Sequence, residues 1–333
     1  MLLVLAQVAS GSVPGLHEDV VFDRPSPLAR TQVLFERLLS PLASRRALDS
    51  MGTSSAALPG YTVELAAERF AVYVPAAPPP PGGYGLFVFV APWKAAVVPP
   101  PWRAALDEAG LLFVTPEAAG NDAPVLTRRA PLALDAVAGA SARWPVDASR
   151  VYIGGFSGGA RVALRLAMAW PDVFAGALVD GSADPIGSEG VPLPERGLLE
   201  HAQRHLRLVY AWGTADRTNA DAGETSFASA RHACIANVHR LPMRGRGHEP
   251  VDGATWRHAL HLLESAPVAD DGLAACRSRL YAARDADLAN VRSLQAAGRL
   301  DDARKALDEL DVRYGRLALP EIAVLDRKEA RHE

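Results

Sequence analysis

Val146-Asp-Ala-Ser-Arg-Val-Tyr-Ile-Gly-Gly-Phe-Ser-Gly-Gly-Ala160 is the stretch on which the fold turns. Within it, Arg150-Val-Tyr-Ile153 is a short run of bulky, β-favouring residues, the pattern of a buried strand. Ala160-Arg-Val-Ala-Leu-Arg-Leu-Ala-Met-Ala-Trp170 has the apolar spacing of a helix and is stopped by Pro171. Ser157 therefore falls on a strand-to-helix turn, inside Gly155-Phe-Ser-Gly-Gly159, which fits G-x-S-x-G. Small neighbours suit a nucleophile whose backbone is strained in a crowded turn. The turn sends the Ser157 hydroxyl outward and sets the Gly158 N–H at a helix N-terminus, ready to donate to an oxyanion. A Gly-rich turn without chemistry is the plain alternative, and a phosphate-cradling loop is another. A phosphate loop needs G-x-x-x-x-G-K-[S/T], or G-x-G-x-x-G near the first strand, and neither is present.

Outward from this turn, short β-branched or aromatic runs alternate with helical patterns, the signature of βαβ units around a mostly parallel sheet. Strands are predicted over 61–64, 70–74, 86–91, 111–115, 150–156, 175–179, 206–212 and 238–242, the first two as an antiparallel hairpin. The Pro-rich stretch 78–83 is a turn-rich connection, since strand-like sequence resumes on both sides. A loop over 181–194, rich in Gly, Pro, Ser and acidic residues, has the composition of a binding loop. From about Asp270 the character changes to a helical appendage, with Leu280, Leu288, Val291, Leu294, Ala303, Leu307 and Leu310 at helical spacing among charges. Its stretch 297–304 is loosely like one tetratricopeptide hairpin, but one copy cannot form a solenoid, so docking on the main domain is expected. The expected organisation is an N-terminal segment over 1–60, a catalytic α/β domain over 61–267 and the helical appendage over 268–333.

With 333 residues, 22% of them charged, and a net charge of −3, the chain can bury a full core and has no basic field for a nucleic-acid backbone. No apolar run approaches the ~20 residues of a membrane span. Met1-Leu-Leu-Val-Leu-Ala-Gln-Val-Ala-Ser10 reads in two ways. It is either the end of a secretory signal, placing the protein in the periplasm or outside the cell, or the first element of a cytoplasmic protein. Cys234 and Cys276 are too few for a disulfide framework or a zinc site, though one bridge can form if the protein is exported. His201 and His205 have the i, i+4 spacing of metal ligands, but without HExxH or a third ligand no metal is expected. His258 and His261 read as ordinary helix residues.

The opening stretch, together with Met168-Ala-Trp-Pro-Asp-Val-Phe174, resembles the α/β-hydrolase esterases related to polyhydroxybutyrate depolymerases and feruloyl esterases, over about residues 61–263. The resemblance implies an α/β-hydrolase fold and a cofactor-free serine hydrolase acting on small-molecule or polymeric carboxylic esters. In that fold serine, acid and histidine follow in that order, each on a loop after a sheet strand. Asp216 in Gly213-Thr-Ala-Asp-Arg217 stands where the family's acid is expected, and its other reading is a helix cap. Asp180, in Leu178-Val-Asp-Gly181, is the alternative acid, and Asp184 a third. His248, in Arg244-Gly-Arg-Gly-His-Glu-Pro250, matches the histidine loop.

The second oxyanion donor is expected after the 86–91 strand, where relatives carry His-Gly and this chain has Ala91-Pro92-Trp93. Proline has no N–H, so the donor would be Trp93, alongside Gly158. With Phe156 and Trp212 on neighbouring strand ends, an apolar or aromatic substrate pocket is expected, core packing being the alternative. Two further readings remain at this level. One is a peptidase of the prolyl-oligopeptidase type, although no propeller sequence precedes the domain. The other is a catalytically weak scaffold that binds through its helical tail, which the Ala-Pro-Trp departure would support.

Overall fold

The computed structural model describes residues 13–52, 59–267 and 271–329, so the signal-like stretch 1–10 lies outside the described residues. The chain opens with strand β1 (Gly15–Val20) and helices α1 (Thr31–Leu38) and α2 (Pro41–Gly52). Strands β2 (Phe70–Val74) and β3 (Tyr84–Val90) follow, then helix α3 (Arg103–Ala109), β4 (Leu111–Pro116) and α4 (Ala130–Arg143). Next come β5 (Val146–Phe156), α5 (Gly158–Ala169), β6 (Gly176–Asp180), α6 (Arg196–His205), β7 (Arg207–Gly213) and α7 (Arg217–His232). The domain closes with β8 (Asn237–Met243) and α8 (Gly253–Glu264), and the tail is α9 (Leu273–Ala296), α10 (Leu300–Tyr314) and α11 (Leu319–Glu329).

Among the described residues the strands form one eight-stranded sheet in the order β1-β2-β4-β3-β5-β6-β7-β8. β2 runs antiparallel to both its neighbours, and every pair from β4 to β8 is parallel. This sheet, with helices on both faces, is the α/β-hydrolase fold. The alternation of β3 shows how the two layers are filled. Leu86, Val88 and Val90 face the layer holding α1, α4 and α5, while Phe87 and Phe89 face the α3 and α8 side. There Phe89 meets Trp102 edge-on at 5.2 Å, and Trp102 stacks on Trp256 at 4.3 Å.

The hairpin expected from strands 61–64 and 70–74 does not form. Residues 61–64 are irregular and lead into a single 3-10 turn, Leu65–Ala67. The antiparallel partner of β2 is β1, paired Gly15↔Val74 through Val20↔Phe70 across a bulge. As an edge strand, Gly-Leu-His-Glu-Asp-Val is mostly solvent-facing and lacks the apolar run by which the central strands announce themselves.

The tail packs on the domain through helices from both ends of the sequence. Leu288, Val291, Leu307, Leu310 and Ile322 are buried within the larger core. Arg46 pairs with Asp308 at 2.6 Å, Arg45 pairs with Asp326, and Asp311 receives the Leu42 N–H at 3.1 Å and the Ser40 hydroxyl. Arg277 Nη2 donates to Glu200 O at 2.9 Å on α6, and a Cys234–Cys276 disulfide joins the end of α7 to α9. The tail also reaches the 181–194 loop, where Arg316 N donates to Leu193 O at 2.9 Å. Gly315 makes that approach with φ 49°, and a Cβ there would fall 2.7 Å from Leu193 O.

Candidate active site

β5 delivers the chain to Ser157, which takes φ 55° and ψ −123° before α5 begins. A positive φ in a non-glycine residue is strained, and the surroundings hold it. Ser157 N donates to Asp180 O at 2.8 Å, and Ala160 N donates to Ser157 O at 3.0 Å. The first turn of α5 lies directly on the end of β3, because a Cβ at Gly159 would sit 1.8 Å from Val90 O. The hydroxyl is thereby presented at the C-terminal edge of the parallel strands, and Gly158 is the first residue of the helix, whose leading N–H groups have no intrahelical acceptor.

Three side chains named from the sequence lie in one row. His248 Nε2 is 2.9 Å from Ser157 Oγ, and His248 Nδ1 is 2.7 Å from Asp216 Oδ2. Asp216 is also the N-cap of α7, so its two readings are compatible. Burial pushes the Asp216 carboxyl up, but hydrogen bonds from the Asn219 side chain and backbone and from His248 outweigh it, leaving the group below its ordinary value. Asn219 Nδ2 donates to Asp216 Oδ2 at 2.7 Å. The loops carrying Asp216 and His248 are tied together by Ala215 N to Arg246 O at 2.9 Å and Thr214 N to Met243 O at 3.0 Å. The Phe156 ring stacks obliquely on His248 at 4.8 Å.

Asp180, the alternative acid, serves a different place. It is fully buried, and Oδ2 accepts from Val251 N at 2.9 Å while Oδ1 has no hydrogen-bond partner among the described residues. Burial drives its pKa well above the ordinary carboxylate value, and its carboxyl braces the chain just beyond His248. Asp184 lines the cavity with Oδ1 3.6 Å from Arg161 Nη1.

The cavity beside Ser157 has a volume of about 420 Å³. The aromatic pocket expected from Phe156 and Trp212 does not line it: they are only 6% and 3% exposed. Phe156 packs into the α3 and α8 layer beside Trp93, at 6.3 Å, and Trp212 packs over Gly223 in the opposite layer. Trp93 itself is partly buried between Phe89 and Phe156, behind the histidine. The wall is polar instead, with Asn121, Asn219, Ser182, Arg129, Arg161 and Arg165 around the serine.

Sequence reasoning missed these arginines because each sits within an ordinary helical pattern. Arg161 and Arg165 are one turn apart on α5, which is the only signal they carry. Arg129 is buried and donates to three carbonyls: Ala119 at 2.9 Å, Gly158 at 3.3 Å and Ala91 at 3.1 Å. It thus clamps the residue after Ser157 to the loop that leads to Trp93.

His201 and His205 stack on each other at 4.7 Å, and no cluster of three metal-ligating residues occurs among the described residues. No described helix is long and apolar enough to cross a membrane. No protein-family model and no curated protein matches the chain. Solved structures that it resembles include a ferulic acid esterase, at 16% identity and a TM-score of 0.44, covering 58% of this chain and 89% of that one. S-formylglutathione hydrolase (FrmB) from Staphylococcus aureus is 14% identical at a TM-score of 0.45, covering 59% and 92%. A puromycin-hydrolyzing peptidase from Mycobacterium tuberculosis is 18% identical at a TM-score of 0.43, covering 61% and 38%.

Proposed function

We propose that this chain is a serine hydrolase of carboxylic esters. The observation that carries the reading is the hydrogen-bonded row in which His248 Nε2 lies 2.9 Å from Ser157 Oγ and Nδ1 lies 2.7 Å from Asp216. His248 takes the hydroxyl proton as Oγ bonds to the ester carbonyl carbon, and Asp216 holds the ring tautomer and stabilises the imidazolium. The N–H groups of Gly158 and Trp93 receive the developing oxyanion. Collapse breaks the bond to the alcohol oxygen, which leaves with the proton from His248. Water then adds to the acyl-enzyme by the same route in reverse, releasing the acid and restoring Ser157. Arg129 supports the pair of oxyanion donors by holding Ala91 O and Gly158 O, which favours a competent hole despite Pro92. The Cys234–Cys276 bridge favours an oxidising compartment over the cytoplasm.

Fluorophosphonate labelling followed by peptide mapping tests the assignment. The label is expected on Ser157, and Ser157→Ala is expected to lose p-nitrophenyl ester turnover by roughly 10⁴–10⁶ in kcat while folding normally. Unchanged turnover in that variant removes Ser157 from the mechanism.

A further inference from the structure

The charge lining the cavity is not explained by the hydrolytic row. Arg129, Arg161 and Arg165 all contribute to the wall, against one non-relay carboxylate, that of Asp184. Arginine does not shed its proton in a protein, so these are permanent cations. Arg129 is sealed by backbone carbonyls, and Arg165 directs Nε and Nη2 at Leu38 O, at 3.0 and 2.5 Å. Among the described residues neither has a carboxylate at hydrogen-bond distance. Burial depresses the pKa of both, with only a more distant acid opposing it, Asp122 for Arg129 and Asp184 for Arg165.

Arg161 is the accessible member, with its side chain about half exposed. Its Nε donates to Ser182 Oγ at 3.1 Å, and Nη1 stands 3.6 Å from Asp184, beyond a direct hydrogen bond. The guanidinium is therefore oriented by Ser182 and Asp184 while keeping donors for a ligand. The Arg161 Cα lies one helical turn past Ser157, about 6 Å along the axis of α5, and both residues line the cavity. A cavity of about 420 Å³ that both side chains line has room for a carboxylate joined to the scissile ester by a short aliphatic chain. Desolvated cations with a shortage of anions are stabilised most by a ligand that brings its own charge.

We propose that the cavity beside Ser157 is a carboxylate-binding subsite, in which Arg161 receives a carboxylate carried by the ester substrate within the field of Arg129 and Arg165. The substrates are then half-esters of short dicarboxylic acids or similarly anionic esters. This rests on the serine-hydrolase reading for turnover, but not for binding.

The test compares mono-p-nitrophenyl glutarate with p-nitrophenyl pentanoate, an uncharged ester of equal chain length, each corrected for its rate with Ser157→Ala. The wild type is expected to favour the glutarate ester in kcat/KM by roughly tenfold or more, and Arg161→Gln to erase most of that ratio, with Arg161→Lys intermediate. A wild-type ratio at or below unity, or a ratio unchanged in a folded Arg161→Gln, overturns the proposal. Calorimetric titration with free glutarate separates the two readings. If neither ester is cleaved and Ser157 resists fluorophosphonate, the hydrolase reading fails. The subsite then stands only if glutarate binds the wild type and not Arg161→Gln, and it falls if glutarate does not bind.

Discussion

Removing the Cys234–Cys276 bridge by a Cys234→Ala, Cys276→Ala double substitution should weaken the fold without displacing the tail. The bridged residues are 42 apart in sequence, so the cross-link closes a loop whose lost entropy in the unfolded chain corresponds to about 4 kcal/mol. In the folded state α9 keeps other anchors on α6: Arg277 donates to Glu200 O at 2.9 Å and Tyr281 to the Glu200 carboxylate at 3.1 Å. Cys234 has φ 66°, and alanine adopts that conformation no less readily than cysteine. The cost therefore falls on the unfolded side of the equilibrium. Urea titration should show a lower midpoint and a somewhat steeper slope, because the freed chain exposes more surface. At roughly 1.4 °C per kcal/mol for a protein of this size, melting should fall by about 6 °C. Wild type treated with reductant should match the double variant, and fluorophosphonate reactivity of Ser157 below the transition should be retained. A double variant with the wild-type midpoint, or reductant without effect on the wild type, would refute the reasoning.

Asp216→Asn should lower ester turnover by about 10⁴ in kcat, because an amide cannot both fix the histidine tautomer and stabilise its cation. Asp180→Asn should cost less than about tenfold, since the Asp180 carboxyl accepts from Val251 N, a role that an amide oxygen fills; the reverse ranking in steady-state kinetics would transfer the acid role to Asp180. Asp135 is pushed from its ordinary 3.8 to about 6, first by burial and also by nearby Glu68, against a hydrogen bond from Ser26 N. Its folded pKa lies above its unfolded one, so its contribution is fully present below about pH 4 and is lost as pH rises through about 6, a difference of about 3 kcal/mol. Asp135→Asn should remove that slope, and a difference in unfolding free energy from the wild type that stays constant between pH 4.5 and 7.5 (about those limits) would exclude it. Gly159→Ala should cost about 3 kcal/mol or more, because its Cβ would meet the Val90 carbonyl rather than a movable side chain; a soluble variant with wild-type melting would contradict the packing of α5 on β3.

The central strands were legible because burial on both faces writes them as continuous apolar runs, and the antiparallel β2, buried throughout, coincides with 70–74 for the same reason. β1 was not, since an edge strand with alternate residues in water has the composition of a loop. The strand–turn–helix context of Ser157 could be read from local pattern alone, whereas the choice of acid could not: Asp180 ends β6 and Asp216 follows β7 by three residues, and only the folded loops set Asp216 against His248 Nδ1. The aromatic residues misled for a related reason. Phe156 precedes the turn and alternation carries its side chain into the α3 and α8 layer, while the cavity wall comes from the outward face of α5, where Arg161 and Arg165 project.

The contact between Gly315–Arg316 and Leu193 imposes an order on biosynthesis. The loop that supplies Asp184 and Gly190 to the cavity leaves the ribosome about 120 residues before the segment that braces it. At bacterial-like elongation rates that interval is about 6–25 s, long enough for the sheet and Ser157 turn to form first. A chain released at about residue 268 would carry the strands of the sheet without the segment that braces the cavity wall, and that brace is added only with the last helices.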